Sequence, residues 1–142
     1  MKSFLLFIGL LCALTLSSNL APSVTSAANA AKKEKAVMKF DRPVILMSVA
    51  LKGEYLFVHD DEAMARGEAC TYVYKGVAEN SRKLVISFHC LPLERAKVAT
   101  FTTRSITTAA GQELREYQFA GSTESHLVPP SHHGHYVTIA TP

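Results

Sequence analysis

The sequence predicts an all-β protein: a small antiparallel sandwich or barrel of about seven or eight strands, preceded by a cleavable signal peptide. Short apolar stretches that alternate with period two recur at intervals of roughly 8–14 residues. Gly, Pro and Asn separate them, and no long helical pattern follows the N-terminal apolar run. The chain has 142 residues, which fits one domain, so we assign 1–30 to the signal peptide, 31–40 to a Lys-rich lead-in and 41–142 to a single β-domain.

The N-terminal segment has the features of a secretory signal. Lys2 precedes an apolar run from Phe4 to Leu16, and small residues follow it up to Ala30. The run is shorter than the roughly 20 residues that a membrane-spanning helix needs. We therefore predict cleavage after Ala30 or Ala27, no transmembrane anchor after cleavage, and a periplasmic or extracellular location.

The lead-in concentrates positive charge. Four lysines occur within it, namely Lys32, Lys33, Lys35 and Lys39, and the whole chain has a formal net charge of +3. We interpret the segment as a solvated tail, with an anionic surface partner as the alternative. No basic stripe recurs further along the chain, so a nucleic-acid partner is not predicted.

The stretch from Glu54 to Leu91 is typical of a three-stranded antiparallel meander, because three apolar, aromatic-rich runs are separated by polar loops. Before it, residues 37–49 alternate weakly and contain Pro43, which predicts an edge strand or two short strands ending at a turn through Lys52 and Gly53. In the first meander loop, residues 62–66 fit one helical turn capped by Asp60 or Asp61.

The C-terminal third predicts further strands. Residues 97–107 are rich in Thr and β-branched side chains, and residues 114–120 alternate between apolar and polar types. Gly121 then marks a turn. Pro129 opens a His-rich loop, and residues 136–140 form a last short strand.

Cys70 lies in the second strand of the meander, on the face that Tyr72 and Tyr74 share, and Cys90 lies in the third strand. They fall opposite each other if the hairpin turn centres near Asn80, so we predict a structural disulfide between them. Closing that loop contributes on the order of 3 kcal/mol. Buried free thiols, or a metal or redox role, are the alternatives, although no Cys-x-x-Cys spacing is present.

A second candidate site is a cluster of imidazoles near the C-terminus, consisting of His126, His132, His133 and His135. Imidazole is the usual ligand of zinc and copper, and His59 or His126 would supply a third ligand to the pair around Gly134. The spacing matches no defined metal motif. A solvated loop with incidental zinc or copper affinity is therefore the competing interpretation, and no other cofactor is predicted.

The remaining polar candidates are His89 and His59, which is followed directly by Asp60 and Asp61. A carboxylate beside a histidine orients it for acid–base catalysis. A histidine at a strand end that bonds to a loop is the simpler interpretation. Motifs for nucleophilic or phosphate chemistry are absent from the sequence, which does not favour an enzyme.

The leading functional hypothesis is thus a non-enzymatic exported domain that acts as a binding or structural module. A metal-binding protein that uses the His cluster is one alternative. A barrel that binds a small ligand is the other, lined by Tyr55, Phe57, Tyr72 and Tyr74.

The pattern G-E-Y-L-F-V-H-D-D-E-A-M-A-R-G-E-A-C-T-Y-V-Y over residues 53–74, followed by V-I-S-F-H-C over residues 85–90, is similar to that of a group of small exported bacterial proteins with no assigned role. The resemblance implies a bacterial envelope or extracellular protein. It carries over no catalytic residue.

Overall fold

The computed structural model describes residues 32–130 and the two-residue strand Thr138–Ile139. The predicted signal peptide, and His132, His133 and His135 of the predicted metal cluster, lie outside the described residues. The described part is mostly β, which confirms the predicted class at that level. Within it, no helix has the length and apolar character needed to cross a membrane.

The described elements are one short helix, one 3₁₀ turn and nine strands. In chain order they are β1 Lys33–Leu46, β2 Val49–Asp60, α1 Asp61–Ala65, β3 Thr71–Lys75, the 3₁₀ turn Ser81–Lys83, β4 Leu84–Phe88, β5 Leu91–Glu94, β6 Thr102–Thr108, β7 Gly111–Gln118, β8 Glu124–Leu127 and β9 Thr138–Ile139.

All of these strands belong to one sheet, in the order β5-β8-β7-β1-β2-β3-β4-β9, and β6 also pairs with β7. Neighbours are antiparallel except β1 and β7, which are parallel and meet at Ile45 and Glu113. The sheet curls into a half-barrel. Because it curls, β2 and β8 face each other across the interior, although two other strands separate them in the sheet.

The Lys-rich segment that we predicted as a solvated tail is instead the first half of β1, the longest strand. Residues 33–40 alternate strictly, with Val37 and the lysines exposed and the other residues half-buried or, at Phe40, buried. The lysines are exposed because they occupy the outer face of a paired strand. Lys33 and Lys35 both form ion pairs with Glu79.

The predicted turn at Lys52 and Gly53 is also wrong, since β2 continues through both residues. The β1–β2 hairpin turns at Met47 and Ser48, whose φ angles are 50° and 84°. Two successive positive φ values match the handedness of a type I′ turn, the connection that suits twisted strands. Pro43 lies in a register irregularity between Phe40 and Val44, as expected for a residue without an amide donor.

The predicted meander is confirmed as β2, β3 and β4, which pair antiparallel in that order. The predicted helical turn is α1, and Asp60 caps it by accepting a hydrogen bond from the Ala63 amide at 3.1 Å. Asp60 thereby turns the chain at the end of β2, directly after His59.

The core fills the concave side of the curled sheet. Phe57 is at its centre, with ring centroids 5.4 Å from Phe101 and 5.6 Å from Tyr117. The other large, fully buried hydrophobic side chains of this core come from β1, β2, β3, β4 and β7: Leu46, Leu51, Val73, Ile86, Phe88 and Leu114. Contacts between aromatic rings at these spacings stabilise the core by more than their buried area alone.

Candidate metal centre

His59 and His126 meet at one end of the core. His59 is the next-to-last residue of β2 and His126 lies in β8, paired with Tyr117 of β7. Both side chains are 0% exposed, and their ring centroids lie 4.0 Å apart. Period-two alternation explains why both rings point into the core. His59 shares the inward face of β2 with Phe57, and His126 lies on the inward face of β8, which joins the curled sheet.

Cys70 and Cys90 complete the cluster. Cys70 immediately precedes β3 and Cys90 follows β4, and both are fully buried. Their sulfurs are 3.0 Å apart. The Cys90 sulfur also lies 3.6 Å from Nδ1 of His126. One ligand atom from each of His59, Cys90 and His126 lies within 4.8 Å of the other two.

Three of the four ring nitrogens of this cluster lack a hydrogen-bond partner among the described residues. Nδ1 and Nε2 of His59 and Nε2 of His126 are buried and accept or donate no hydrogen bond. His59 Nδ1 is 3.1 Å from Asp61 Oδ1, but without hydrogen-bond geometry. An unsatisfied buried polar atom costs about 1–3 kcal/mol, so three of them in one cluster need an explanation.

The charges in the cluster favour one anionic sulfur beside a neutral imidazole. The pKa of Cys70 is lowered because the Cys90 thiol donates to its sulfur and His59 lies nearby, whereas the pKa of Cys90, which keeps the proton, is raised. Burial lowers the pKa of His126 to about 3, and charge on His59 acts in the same direction. Thiolate sulfur and neutral imidazole are the forms that bind metal ions, so an ion held by Cys90 would displace the proton that this thiol keeps.

His59 differs from His126. Burial disfavours its charged form, but the attraction of the Cys70 sulfur and of Asp61 outweighs burial, so its pKa is raised. A cation in this position is therefore stabilised by sulfur on one side and by a carboxylate on the other.

Aromatic side chains enclose the histidine pair. The Tyr117 ring stacks on His126 with centroids 4.9 Å apart, and the Phe119 ring meets it edge-on at 5.9 Å. The Tyr117 hydroxyl shares a 2.5 Å hydrogen bond with Thr71 Oγ1. These contacts fix the ring of His126 and keep water away from the cluster.

One separation in the cluster equals the distance expected between two ligands of a tetrahedral zinc ion. Zinc–sulfur bonds of about 2.3 Å and zinc–nitrogen bonds of about 2.0–2.1 Å, arranged as a tetrahedron, place sulfur about 3.6 Å from nitrogen. The observed distance from Cys90 Sγ to His126 Nδ1 is 3.6 Å. Two cysteines and two histidines form the ligand set of closed tetrahedral zinc sites, and a Cys-His₂ subset also suits copper.

Carboxylates connect the cluster with the surface. Glu124 Oε1 lies 3.7 Å from His126 Nδ1, and the side chains of Glu124 and Asp61 are 46% and 33% exposed. A surface groove of about 330 Å³ lies beside Glu124, and its lining consists of Pro92, Leu93, Glu94, Thr123 and Glu124. The acidic rim gives a cation a favourable approach to an otherwise buried site.

The predicted disulfide between Cys70 and Cys90 is not formed in this structure. Both residues are free cysteines, and 3.0 Å exceeds the S–S bond length of about 2.05 Å. The two residues are nevertheless brought together as expected, although Thr71 pairs with Phe88 and the cysteines are therefore offset by one residue. Because both lie just beyond the strand ends, the offset does not separate their sulfurs.

Of the predicted metal cluster, the structure describes only His126, which lies in a buried strand. His59, the alternative third ligand, is next to it. His89 is not part of the centre, because its Nδ1 bonds to the Glu68 carbonyl oxygen at 2.8 Å. Asp60 serves as the helix cap, and Asp61 is the carboxylate that approaches His59.

The four predicted ligand-lining rings do not face one cavity. Tyr55 and Phe57 are buried on the inner face of β2, whereas Tyr72 and Tyr74 pair with Val58 and Leu56 and lie half-buried on the outer face. The sheet separates the two pairs. We predicted that Tyr72 and Tyr74 share a face with Cys70. In the structure, Cys70 lies just before β3 and turns inward, away from these two rings.

No protein family, no curated protein and no solved structure matches the chain significantly.

Proposed function

We propose that this protein is an exported β-domain that holds one transition-metal ion, Zn²⁺ or Cu⁺, between His59, Cys90 and His126. The observation that carries the proposal is the burial of two imidazoles beside a thiol, with three ring nitrogens that lack a hydrogen-bond partner and one sulfur–nitrogen separation that fits a tetrahedral ion. An ion would accept one nitrogen lone pair from each imidazole and replace the protons that burial disfavours.

The site supports a structural or carrier role better than a catalytic one. Its side chains are fully buried, and the aromatic rings of Tyr117 and Phe119 leave a bound substrate no room beside the ligands.

We also propose that the curled sheet is a partly open barrel whose interior is filled by side chains, in agreement with the burial of Phe57 and Tyr55. Export to the periplasm or beyond, argued from the N-terminal apolar run, belongs to the same proposal.

Titration of reduced, metal-free protein tests the proposal. Competition with a chromophoric chelator for Zn²⁺, and with a Cu⁺-specific chelator for Cu⁺, should give one ion per chain. His59→Gln and Cys90→Ala should each weaken binding by more than about 100-fold, because each removes a direct ligand. Far-UV circular dichroism establishes that the variants retain the β-fold.

A matched control separates the core site from the C-terminal histidines. A variant with His132→Ala, His133→Ala and His135→Ala keeps every residue of the core cluster, so it should bind one ion with unchanged affinity. If this variant loses the ion while His59→Gln keeps it, the metal belongs to the C-terminal histidines and the proposed centre is wrong.

A further inference from the structure

The position of Cys70 leads beyond simple metal binding. Its sulfur is 3.0 Å from that of Cys90, the cysteine that faces His126. This distance lies between the S–S bond of about 2.05 Å and the sulfur–sulfur edge of a zinc tetrahedron, about 3.8 Å. Small rotations of two buried side chains therefore lead to either arrangement.

We propose that Cys70 and Cys90 are a thiol–disulfide switch for the metal centre: as thiolates they both bind the ion, and as a disulfide they release it. The inference rests on the proposed metal site. Thiolate, not disulfide sulfur, is the metal ligand. Oxidation would leave only His59 and His126, too few for a closed site.

The surroundings assign different roles to the two sulfurs. The backbone amide of Cys90 donates to the Cys70 sulfur at 3.2 Å, and the Cys90 thiol also faces it. The amide hydrogen bond stabilises a thiolate on Cys70, which makes Cys70 the nucleophile and Cys90 the resolving thiol.

A small peroxide is the oxidant that fits a buried pair, because no larger disulfide reagent can approach sulfurs that are 0% exposed. The Cys70 thiolate attacks one oxygen of hydrogen peroxide, the O–O bond breaks, and hydroxide leaves, which gives a sulfenic acid. The Cys90 thiolate then attacks the Cys70 sulfur, the S–OH bond breaks, and a second hydroxide leaves. Overall, two thiolates and one peroxide yield one disulfide and two hydroxide ions, which take up protons from water, with two electrons passing from sulfur to oxygen.

The test begins with reduced protein loaded with one equivalent of zinc and treated with stoichiometric hydrogen peroxide. A chromophoric chelator follows the released zinc, and tryptic digestion without reduction follows the disulfide. Cleavage after Arg66, Lys75, Lys83 and Arg95 places Cys70 in the peptide 67–75 and Cys90 in the peptide 84–95. Their cross-linked product, lighter than the sum by two hydrogens, is separate from any peptide that contains Cys12.

We expect zinc release and the cross-linked peptide to appear together, at one peroxide per chain, and a thiol reductant to restore binding. Cys70→Ala keeps three ligands and should still bind zinc, although less tightly, while forming no cross-link and needing excess peroxide for release. Cys70→Ser is the second variant, with a side chain closer in size to cysteine, in case the alanine variant does not fold.

The outcomes separate the switch from the metal site. Reduced protein that binds no zinc would overturn both. Zinc binding in the reduced protein, combined with peroxide treatment that yields no cross-link, or yields it without metal release, would overturn the switch alone. Release from Cys70→Ala at the same peroxide stoichiometry as from the wild type would also overturn it.

Discussion

His59 and His126 lie with their ring centroids 4.0 Å apart, fully buried, on strands that are not neighbours in the sheet. Two imidazoles in contact within an apolar core cannot both carry charge at low cost. A third component that accepts one nitrogen lone pair from each ring would stabilise both imidazoles in their neutral form. The nearby Cys90 sulfur makes a metal ion the simplest such component.

The first prediction concerns metal-linked stability. Because the site is formed only when β2, β8 and the segment of Cys90 come together, an ion binds the folded state in preference to the unfolded chain. Free Zn²⁺ at 100 times its dissociation constant should raise the free energy of unfolding by about 2.7 kcal/mol. Urea denaturation of reduced protein, with and without buffered zinc, measures the change. Cys90→Ala should show no zinc-dependent shift; an equal shift in this variant would place the ion elsewhere.

The second prediction concerns the aromatic core. Phe57 is fully buried and contacts Phe101 and Tyr117, so Phe57→Ala should lower the free energy of unfolding by about 3–5 kcal/mol. Tyr74 lies half-buried on the other face of the sheet. Tyr74→Ala is thus a matched control and should cost about 1 kcal/mol. Similar losses in both variants, measured by urea denaturation, would contradict the assignment of the inner face.

Much of the central sheet was predictable from the sequence. The runs that became β2, β3 and β4 combine strong β-formers with polar loops, so local pattern and tertiary pairing agree. The Lys-rich half of β1 was missed because lysine charge was taken as evidence of a tail. The strict alternation from Lys33 to Phe40 was the signal that contradicted this interpretation.

The candidate site was only partly predictable. The sequence shows that Cys70 and Cys90 are close, because they flank consecutive antiparallel strands. It does not show that His126 joins them, since β8 reaches the cluster through the curl of the sheet and not through a local contact. The usable signal was that His126 alternates with Ser125 and Leu127 in a short strand-like run.

The third prediction concerns the β1–β2 turn. Ser48 is exposed and has a φ of 84°. A positive φ costs a residue with a Cβ about 1–2 kcal/mol. Ser48→Gly removes that cost, but the greater freedom of glycine in the unfolded chain offsets about 0.5–1 kcal/mol of the gain. We expect a net increase in the free energy of unfolding of about 0.5–1 kcal/mol. Ser48→Ala keeps the Cβ and should bring no increase, so equal stability of the two variants would argue against the turn geometry.

The fourth prediction concerns a charged cluster outside the metal centre. Glu116 is 4% exposed and accepts hydrogen bonds from Arg95, from Arg104 at 2.7 Å, and from Ser125 at 2.5 Å. The bond from Arg95 is the main cause of its lowered pKa, with Ser125 and the charge of Arg104 acting in the same direction. The cluster joins β6, β7, β8 and the segment after β5, so it holds together the half of the sheet that carries His126.

Because the pKa of Glu116 is lower in the folded protein than its ordinary value of 4.5, the ionised carboxylate stabilises the fold above that pH. The contribution should be complete at neutral pH and be lost as the pH falls below 4.5 through the folded-state pKa. At pH 7, Glu116→Gln should lower the free energy of unfolding by about 1–2 kcal/mol, an amount reduced by the partial exposure of both arginines. Urea denaturation of metal-free protein between pH 3 and pH 7 gives the free energy of unfolding of the wild type and of Glu116→Gln at each pH. The two values should converge at the acidic end. Glutamine has nearly the size of glutamate and cannot ionise. If the difference in the free energy of unfolding between the wild type and Glu116→Gln stays constant over this pH range, the charge of Glu116 is not what stabilises the cluster.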